Sequence, residues 1–135
     1  MQNIVFTNGC FDIIHPGHID LLQRAKGLGK YLIVGLNSDE SVSRIKPGRP
    51  INDQSFRKTI LQNIRWVDEV IIFNDDTPLN LIQRIKPDVL VKGGDWIVEQ
   101  IVGYDFVKSY GGLVYSLSLL PGFSTTSIID KIRGC

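Results

Sequence analysis

A chain of 135 residues, 43% of them hydrophobic, has material for one compact core and too little for two. Fifteen basic side chains stand against fourteen acidic ones, a formal net charge of +1, so bulk attraction to nucleic acid or to an anionic membrane is not expected. No cleavable leader pattern and no apolar run of about 18 residues occurs, and Cys10 and Cys135 stand in contexts too unlike for a disulfide framework, so the expectation is a single-domain cytoplasmic protein over residues 1–135.

Taken in chain order, the apolar run Ile4-Val5-Phe6 predicts a buried strand. Pro16, pre-set for the first turn of a helix, is followed by the helical apolar series Ile19, Leu21, Leu22, Ala25, Leu28. Residues 31–36 predict a second strand, with a polar loop to about Asn52 and a helix over about 53–64. A third strand over 69–73, a helix over 78–85, a fourth strand over 88–91 and a helix over 98–109 follow. A fifth strand over 113–117 and a final helix over 127–132 close the chain. Strands that are continuously apolar and separated by helices predict an α/β fold with a doubly wound, parallel five-stranded sheet covered on both faces. Ligands of such Rossmann-like sheets bind beyond the carboxyl ends of the strands. No G-x-G-x-x-G follows the first strand, which disfavours a dinucleotide-binding domain.

The densest chemistry lies between the first strand and the first helix, in Thr7-Asn8-Gly9-Cys10-Phe11-Asp12 and His15-Pro16-Gly17-His18. His15 and His18, the only histidines in the chain, flank the first helical turn, where free backbone N–H groups and the positive end of the helix dipole favour an anion. Gly17 lacks a β-carbon and would let a nucleotide approach the backbone. Two other readings compete: the histidines as capping or surface residues, and Cys10, Asp12, His15 and His18 as a zinc site. The length of the constrained match, in its strand-loop-helix context, favours phosphate binding, and no second Cys or His cluster completes a metal site.

Three further segments fall at strand ends or helix starts. The loop around Arg44, Lys46 and Arg49 carries three cations between Pro and Gly breakers. By itself it reads as a solvated basic loop, but it leaves the second strand on the same rim as the histidines and is able to close over a phosphate chain. Ser124-Thr125-Thr126 precedes the last helix. One hydroxyl there serves as an N-cap, and the remainder offer a second phosphate cradle. Lys92-Gly93-Gly94-Asp95-Trp96 ends the fourth strand; the glycines permit close approach by a ligand, while the alternative is an ordinary turn with Trp96 in the core.

The pattern G-x-F-D-x-x-H-x-G-H resembles the signature of the nucleotidyltransferase superfamily of cytidylyltransferases and adenylyltransferases. Thr7–Asp12, Gly35-Leu36-Asn37-Ser38-Asp39, Arg44-Ile45-Lys46, Arg49-Pro50-Ile51-Asn52, Asp76-Thr77-Pro78, Lys92-Gly93-Gly94-Asp95 and Ser124-Thr125-Thr126 together resemble one branch. That branch is the heptose 1-phosphate adenylyltransferases, often fused behind a sugar kinase in bacteria that make lipopolysaccharide. Glycerol-3-phosphate cytidylyltransferase is the nearest competitor, sharing the His-x-Gly-His and Ser-Thr-Thr regions.

The resemblance implies transfer of AMP from ATP to D-glycero-β-D-manno-heptose 1-phosphate, with release of pyrophosphate and with Mg²⁺ carried by the nucleotide. It implies His15, His18 and Lys46 as catalytic residues. Asn8, Gly9, Cys10, Phe11, Asp12, Gly17, Arg49, Lys92, Gly93, Asp95, Ser124, Thr125 and Thr126 would bind the nucleotide, with no metal ligand on the protein. Asp12 would orient a histidine or a metal-bound water, and Arg57 is a weaker candidate for phosphate binding. The expected partners are ATP and a sugar phosphate, a separate heptose kinase, and a second copy of the chain docking around Ile64-Arg65-Trp66-Val67. A non-catalytic nucleotide-binding module is the alternative from another class.

Overall fold

Five runs of aliphatic residues become the strands β1 (Ile4–Gly9), β2 (Tyr31–Asn37), β3 (Glu69–Phe73), β4 (Val89–Gly93) and β5 (Leu113–Leu117). They pair in the order β3-β2-β1-β4-β5, all parallel, in a computed structural model that describes residues 3–134. The chain winds from β1 out to β3 and returns to place β4 on the other side of β1. The topological switch therefore lies between β1 and β4, and the crevice beyond their carboxyl ends is where such a sheet takes a ligand.

Successive side chains of a strand point to opposite faces, and this alternation divides the core in two. Val5, Leu32 and Val91 face one layer, closed by Leu22 and Ala25 of α1 (Pro16–Lys26) and Leu61 of α3 (Gln54–Gln62). Phe6, Ile33 and Leu90 face the other, closed by Leu81 and Ile82 of α4 (Leu79–Ile85) and Val107 of α5 (Tyr104–Ser109). The sheet is thus covered on both faces, as its continuous apolar strands require. Among the described residues no helix is long and apolar enough to cross a membrane.

Several predicted elements are redrawn. The loop expected from Asn37 to Asn52 contains α2 (Asp39–Ile45), started by Ser38, whose Oγ accepts the Ser41 N–H at 3.1 Å. It is a helix made by its cap, with too few turns to show an apolar period. The helix expected over 98–109 is broken into a 3₁₀ turn, Val98–Gln100, and α5. Gly103 separates them at φ +95°, where a Cβ would stand 2.9 Å from Ile82 Cδ1. The last helix, α6 (Thr125–Arg133), starts two residues early because Ser124 is its cap. In the segment expected to dock a second copy, Ile64, Trp66 and Val67 pack against the core, and Arg65 lies over the Trp66 ring at 5.7 Å. Cys135 lies outside the described residues.

Gly35, in the middle of β2, faces the Phe6 ring so closely that a Cβ would lie 2.6 Å from Phe6 Cζ. Gly35→Ala is therefore expected to cost about 1–3 kcal/mol through overpacking. Denaturant unfolding measures it, and an unchanged midpoint would show that the ring has room to move.

Candidate active site

Beyond Gly9 the chain turns sharply, and two non-glycine residues, Phe11 (φ +48°) and Ile13 (φ +51°), adopt the left-handed conformation. Such residues cost about 1–3 kcal/mol each unless their surroundings hold them, most of all a β-branched one. Asp12 between them supplies the hold. Its carboxylate, 3% exposed, accepts the Ile51 N–H at 2.6 Å and the Asn52 N–H at 3.0 Å, and its backbone carbonyl accepts the Thr125 hydroxyl at 2.6 Å. Asp12 thus joins the β1–α1 turn to the basic loop and to the start of α6. Both carboxylate oxygens are engaged by the loop backbone, and neither is bonded to a histidine among the described residues.

Arg57 is the second brace, and the structure removes it from the phosphate-binding candidates. It is 1% exposed, and its guanidinium donates to the carbonyls of Asn52 (2.9 Å), Cys10 (2.8 Å) and Asn37 (2.8 Å) and to Asp39 Oδ1 (2.8 Å). A planar fork with four of its five N–H donors spent on three backbone carbonyls and Asp39 organises backbone, and Arg57 lines neither hollow of the cleft over the switch point.

His15 is the N-cap of α1: its Nδ1 accepts the Gly17 N–H at 3.1 Å, while Nδ1 of His18 reaches back to accept the His15 N–H at 3.1 Å. Two residues usually filled by Ser and Glu in such a reciprocal cap are here both imidazoles. An Nδ1 that accepts carries no proton, so the ring proton of each neutral histidine sits on Nε2 and remains available as a donor. Their rings lie 3.8 Å apart between centroids, and Phe123 stacks on His15 at 6.2 Å. Gly17 is needed by the imidazole itself, since a Cβ there would lie 2.8 Å from His15 Cε1. Burial, reinforced by His15 and Lys46 and only partly opposed by Asp12, pushes His18 down to about 4; burial also lowers His15.

Two adjoining hollows, of about 150 and 230 Å³, form one cleft over the switch point and share His18, Leu21, Lys46, Arg49, Leu119 and Thr125. Asn8, Gly9, Cys10, Phe11, Asp12, Lys92 and Gly93 line the first; His15, Gly17, Phe123, Ser124 and Thr126 line the second. Of the catalytic and nucleotide-binding residues that the resemblance implies, Asp95 lies outside: it is exposed and lines neither hollow. Arg44 also turns away, its Nε donating to Asp76 at 2.8 Å and its terminal nitrogen to the Asn74 carbonyl.

The electrostatics are those of an anion receptor. Arg49 Nε is buried and ion-paired with Asp12 Oδ2 at 3.7 Å, too far for a hydrogen bond, of which it has none. Burial lowers Lys92 despite the nearby Cys10, and Lys46 adds to the effect. Ser124 Oγ accepts the Ser127 N–H at 3.0 Å, so the hydroxyl caps the helix, whose other first-turn amides have no partner within it. Among the described residues no three His, Cys, Asp or Glu side chains converge as metal ligands. Sequence reasoning missed the Phe123 stack, the apolar walls Leu21 and Leu119, and the Arg57 brace. Phe123 alone carried a signal, standing between Gly122 and the Ser-Thr-Thr run.

The lowered His18 predicts an acid limb in stability. The unfolded chain binds this proton near pH 6.5 and the folded one near 4, so stability is complete above about 6.5 and falls as pH drops towards 4. His18→Gln keeps an acceptor for the His15 N–H and should flatten the loss of melting temperature over that window. An equally steep decline would show that other groups carry it.

Residues 6–130 match the family model described as Cytidylyltransferase-like. The chain is 55% identical over 134 residues to the bifunctional protein HldE of Pseudomonas savastanoi pv. phaseolicola, which covers 98% of this chain and 28% of that protein. It is 54% identical over 133 residues to that of Pseudomonas entomophila, with the same shares covered. The chain therefore spans a little over a quarter of the length of the curated relatives it matches. A lipopolysaccharide core biosynthesis protein from Thermoplasma volcanium superposes with a TM-score of 0.73 at 27% identity, over 89% of this chain and 98% of the other. A pantoate-beta-alanine ligase from Francisella tularensis, at 17% identity and a TM-score of 0.59 over 99% and 71% of the two chains, shares the fold. From strand order to signature loop, the chain belongs to the cytidylyltransferase-like family.

Proposed function

We propose that this chain transfers AMP from ATP to D-glycero-β-D-manno-heptose 1-phosphate, yielding ADP-heptose and pyrophosphate. The observation that carries the phosphate chemistry is a single cleft lined by two neutral imidazoles, Lys46, Lys92 and Arg49, whose Nε is ion-paired with Asp12 but makes no hydrogen bond. The identity to relatives named HldE and the likeness to a protein named for lipopolysaccharide core biosynthesis support the heptose acceptor.

A phosphate oxygen of the sugar 1-phosphate attacks the α-phosphorus of ATP in line, forming a new phosphoanhydride. The bond from the α-phosphorus to the α,β-bridging oxygen breaks, and its electron pair leaves with pyrophosphate. The nucleophile is already ionised at neutral pH, so no strong base is required, and catalysis rests on position and on preorganised donors. His18 Nε2–H serves the α-phosphate as charge builds, and His15 the triphosphate. Lys46, exposed at the end of α2 yet lining both hollows, follows the leaving group. The first-turn amides of α6 with Thr126 hold the β- and γ-phosphates. Mg²⁺ would neutralise part of the triphosphate charge. Asp12, the carboxylate in the cleft, has both oxygens bonded to backbone N–H groups, so the donor set suits an ion held mainly by phosphate and water.

Pyrophosphate release with ATP or CTP, crossed with heptose 1-phosphate and glycerol 3-phosphate, tests the reading. ATP with the heptose is expected to lead by about tenfold or more in kcat/KM, equivalent to ~1.4 kcal/mol. CDP-glycerol formation without ADP-heptose would overturn it, and ATP binding without any pyrophosphate release would leave a binding module. His18→Ala is expected to lower kcat by about 10²-fold or more. Lys46→Ala should reduce turnover and ATP affinity with an unchanged melting temperature in the free protein, because Lys46 is exposed. Unchanged kinetics would return Lys46 to an ordinary surface charge.

A further inference from the structure

A third cavity, of about 80 Å³, lies beside the cleft between the end of β4 and the 3₁₀ turn. Asn8 and Lys92 line both it and the first hollow, whereas it shares no residue with the hollow at the start of α6. The three spaces therefore run in sequence, from α6 past His18 to Lys92 and onward to Trp96.

Trp96 stands at the far end of this series and is not in the core: it is 49% exposed. Half-exposed indoles are ordinarily mobile, yet this one is held at several points. Its Nε1–H donates to the Gly93 carbonyl at 3.1 Å and its backbone N–H to Ser116 Oγ at 3.0 Å, while that hydroxyl donates to the Gly94 carbonyl. Gly94, at φ +115°, leaves space where a Cβ would lie 3.0 Å from the indole nitrogen. Lys92 Nζ lies over the ring, 5.3 Å from its centroid, which sets a cation against one face of a fixed aromatic plate. Gln100 and Asn8 add amide groups, while Pro78 and Val102 complete an otherwise apolar wall.

In-line displacement requires the attacking oxygen and the departing pyrophosphate to approach the α-phosphorus from opposite sides. With pyrophosphate towards α6, the nucleophile enters from the Lys92 side. We infer that the Trp96 cavity is the acceptor subsite: Lys92 pairs with the phosphate of the incoming sugar phosphate, and the Trp96 indole carries a C–H face of its ring. This inference rests on the functional reading above and names the place of its second substrate. An aromatic plate matches the apolar C–H face of a sugar, and the flanking amides of Asn8 and Gln100 match its hydroxyls.

Pyrophosphate release by the unaltered protein, with ATP and heptose 1-phosphate, comes first; no release would overturn the functional reading and this inference with it. Where release is seen, Trp96→Leu is expected to raise the KM for the sugar phosphate about tenfold or more, with the KM for ATP changed less than about twofold. Trp96→Phe, which keeps a ring, should recover part of the loss. A Trp66→Phe background leaves Trp96 as the sole indole. Its emission should shift when heptose 1-phosphate is added to protein saturated with a non-transferable ATP analogue. A rise in the KM for ATP as large as that for the acceptor, unchanged values for both, or an emission shift caused by the nucleotide alone would each overturn the acceptor assignment and leave nucleotidyl transfer standing.

Discussion

The Asp12 carboxylate is the contact on which the site depends. One buried charge accepts two backbone N–H groups of the basic loop, its own carbonyl takes the Thr125 hydroxyl, and it sits between two residues in left-handed backbone conformations. Through it the turn after β1 and the loop bearing Lys46 and Arg49 are fastened to each other. Arg57 performs a matching task from beneath, joining the carbonyls of Cys10, Asn37 and Asn52: it shares the turn after β1 and the basic loop with Asp12 and adds the end of β2. The two charges act on backbone, and the residues they position act on substrate. This division explains why a loop with three cations in its sequence presents two of them, Lys46 and Arg49, to a common cleft.

A second constraint is charge. The chain as a whole is close to neutral, yet Lys46, Arg49 and Lys92 line one small space with Asp12 as the carboxylate among them. Burial is the main reason that Lys92 and His18 are lowered, and the like charge of Lys46 adds to it in both. The fold maintains this arrangement through the bonds of Asp12, Arg57 and the helix cap, all of which are made before any ligand arrives. A polyanion balances these charges on binding, so part of the stabilisation of developing charge is built into the free protein. Neutral histidines suit this setting, since they donate through Nε2 without adding a further positive charge.

Much of this was legible in the sequence. The α/β class, the five strands and the position of the histidines at a helix start followed from apolar runs and one proline, because burial on both faces leaves an unbroken pattern. What was not legible depends on contacts distant in sequence. Arg57 reads as a surface cation on a polar helix until Cys10 and Asn37 come to meet it, 47 and 20 residues away. Asp12 invites a role in chemistry because it stands beside the histidines, and its partners 39 and 40 residues on are backbone groups that no motif records. α2 and the break at Gly103 were missed for a local reason: a two-turn helix and a 3₁₀ turn are too short to show a period. Asp95, one residue past the strand-end glycines, sits in the same string as Lys92 and still points elsewhere, because a turn redirects side chains within two residues.

The most direct test of the Asp12 latch is amide hydrogen exchange at Ile51 and Asn52, measured together with turnover, in Asp12→Asn. The expected result is loss of protection at those two amides, unchanged protection in β1 and β2, and a fall in turnover of about 10²-fold as the loop cations lose their positions. Full turnover in a variant whose Ile51 and Asn52 amides exchange freely would contradict the claim that this carboxylate organises the site.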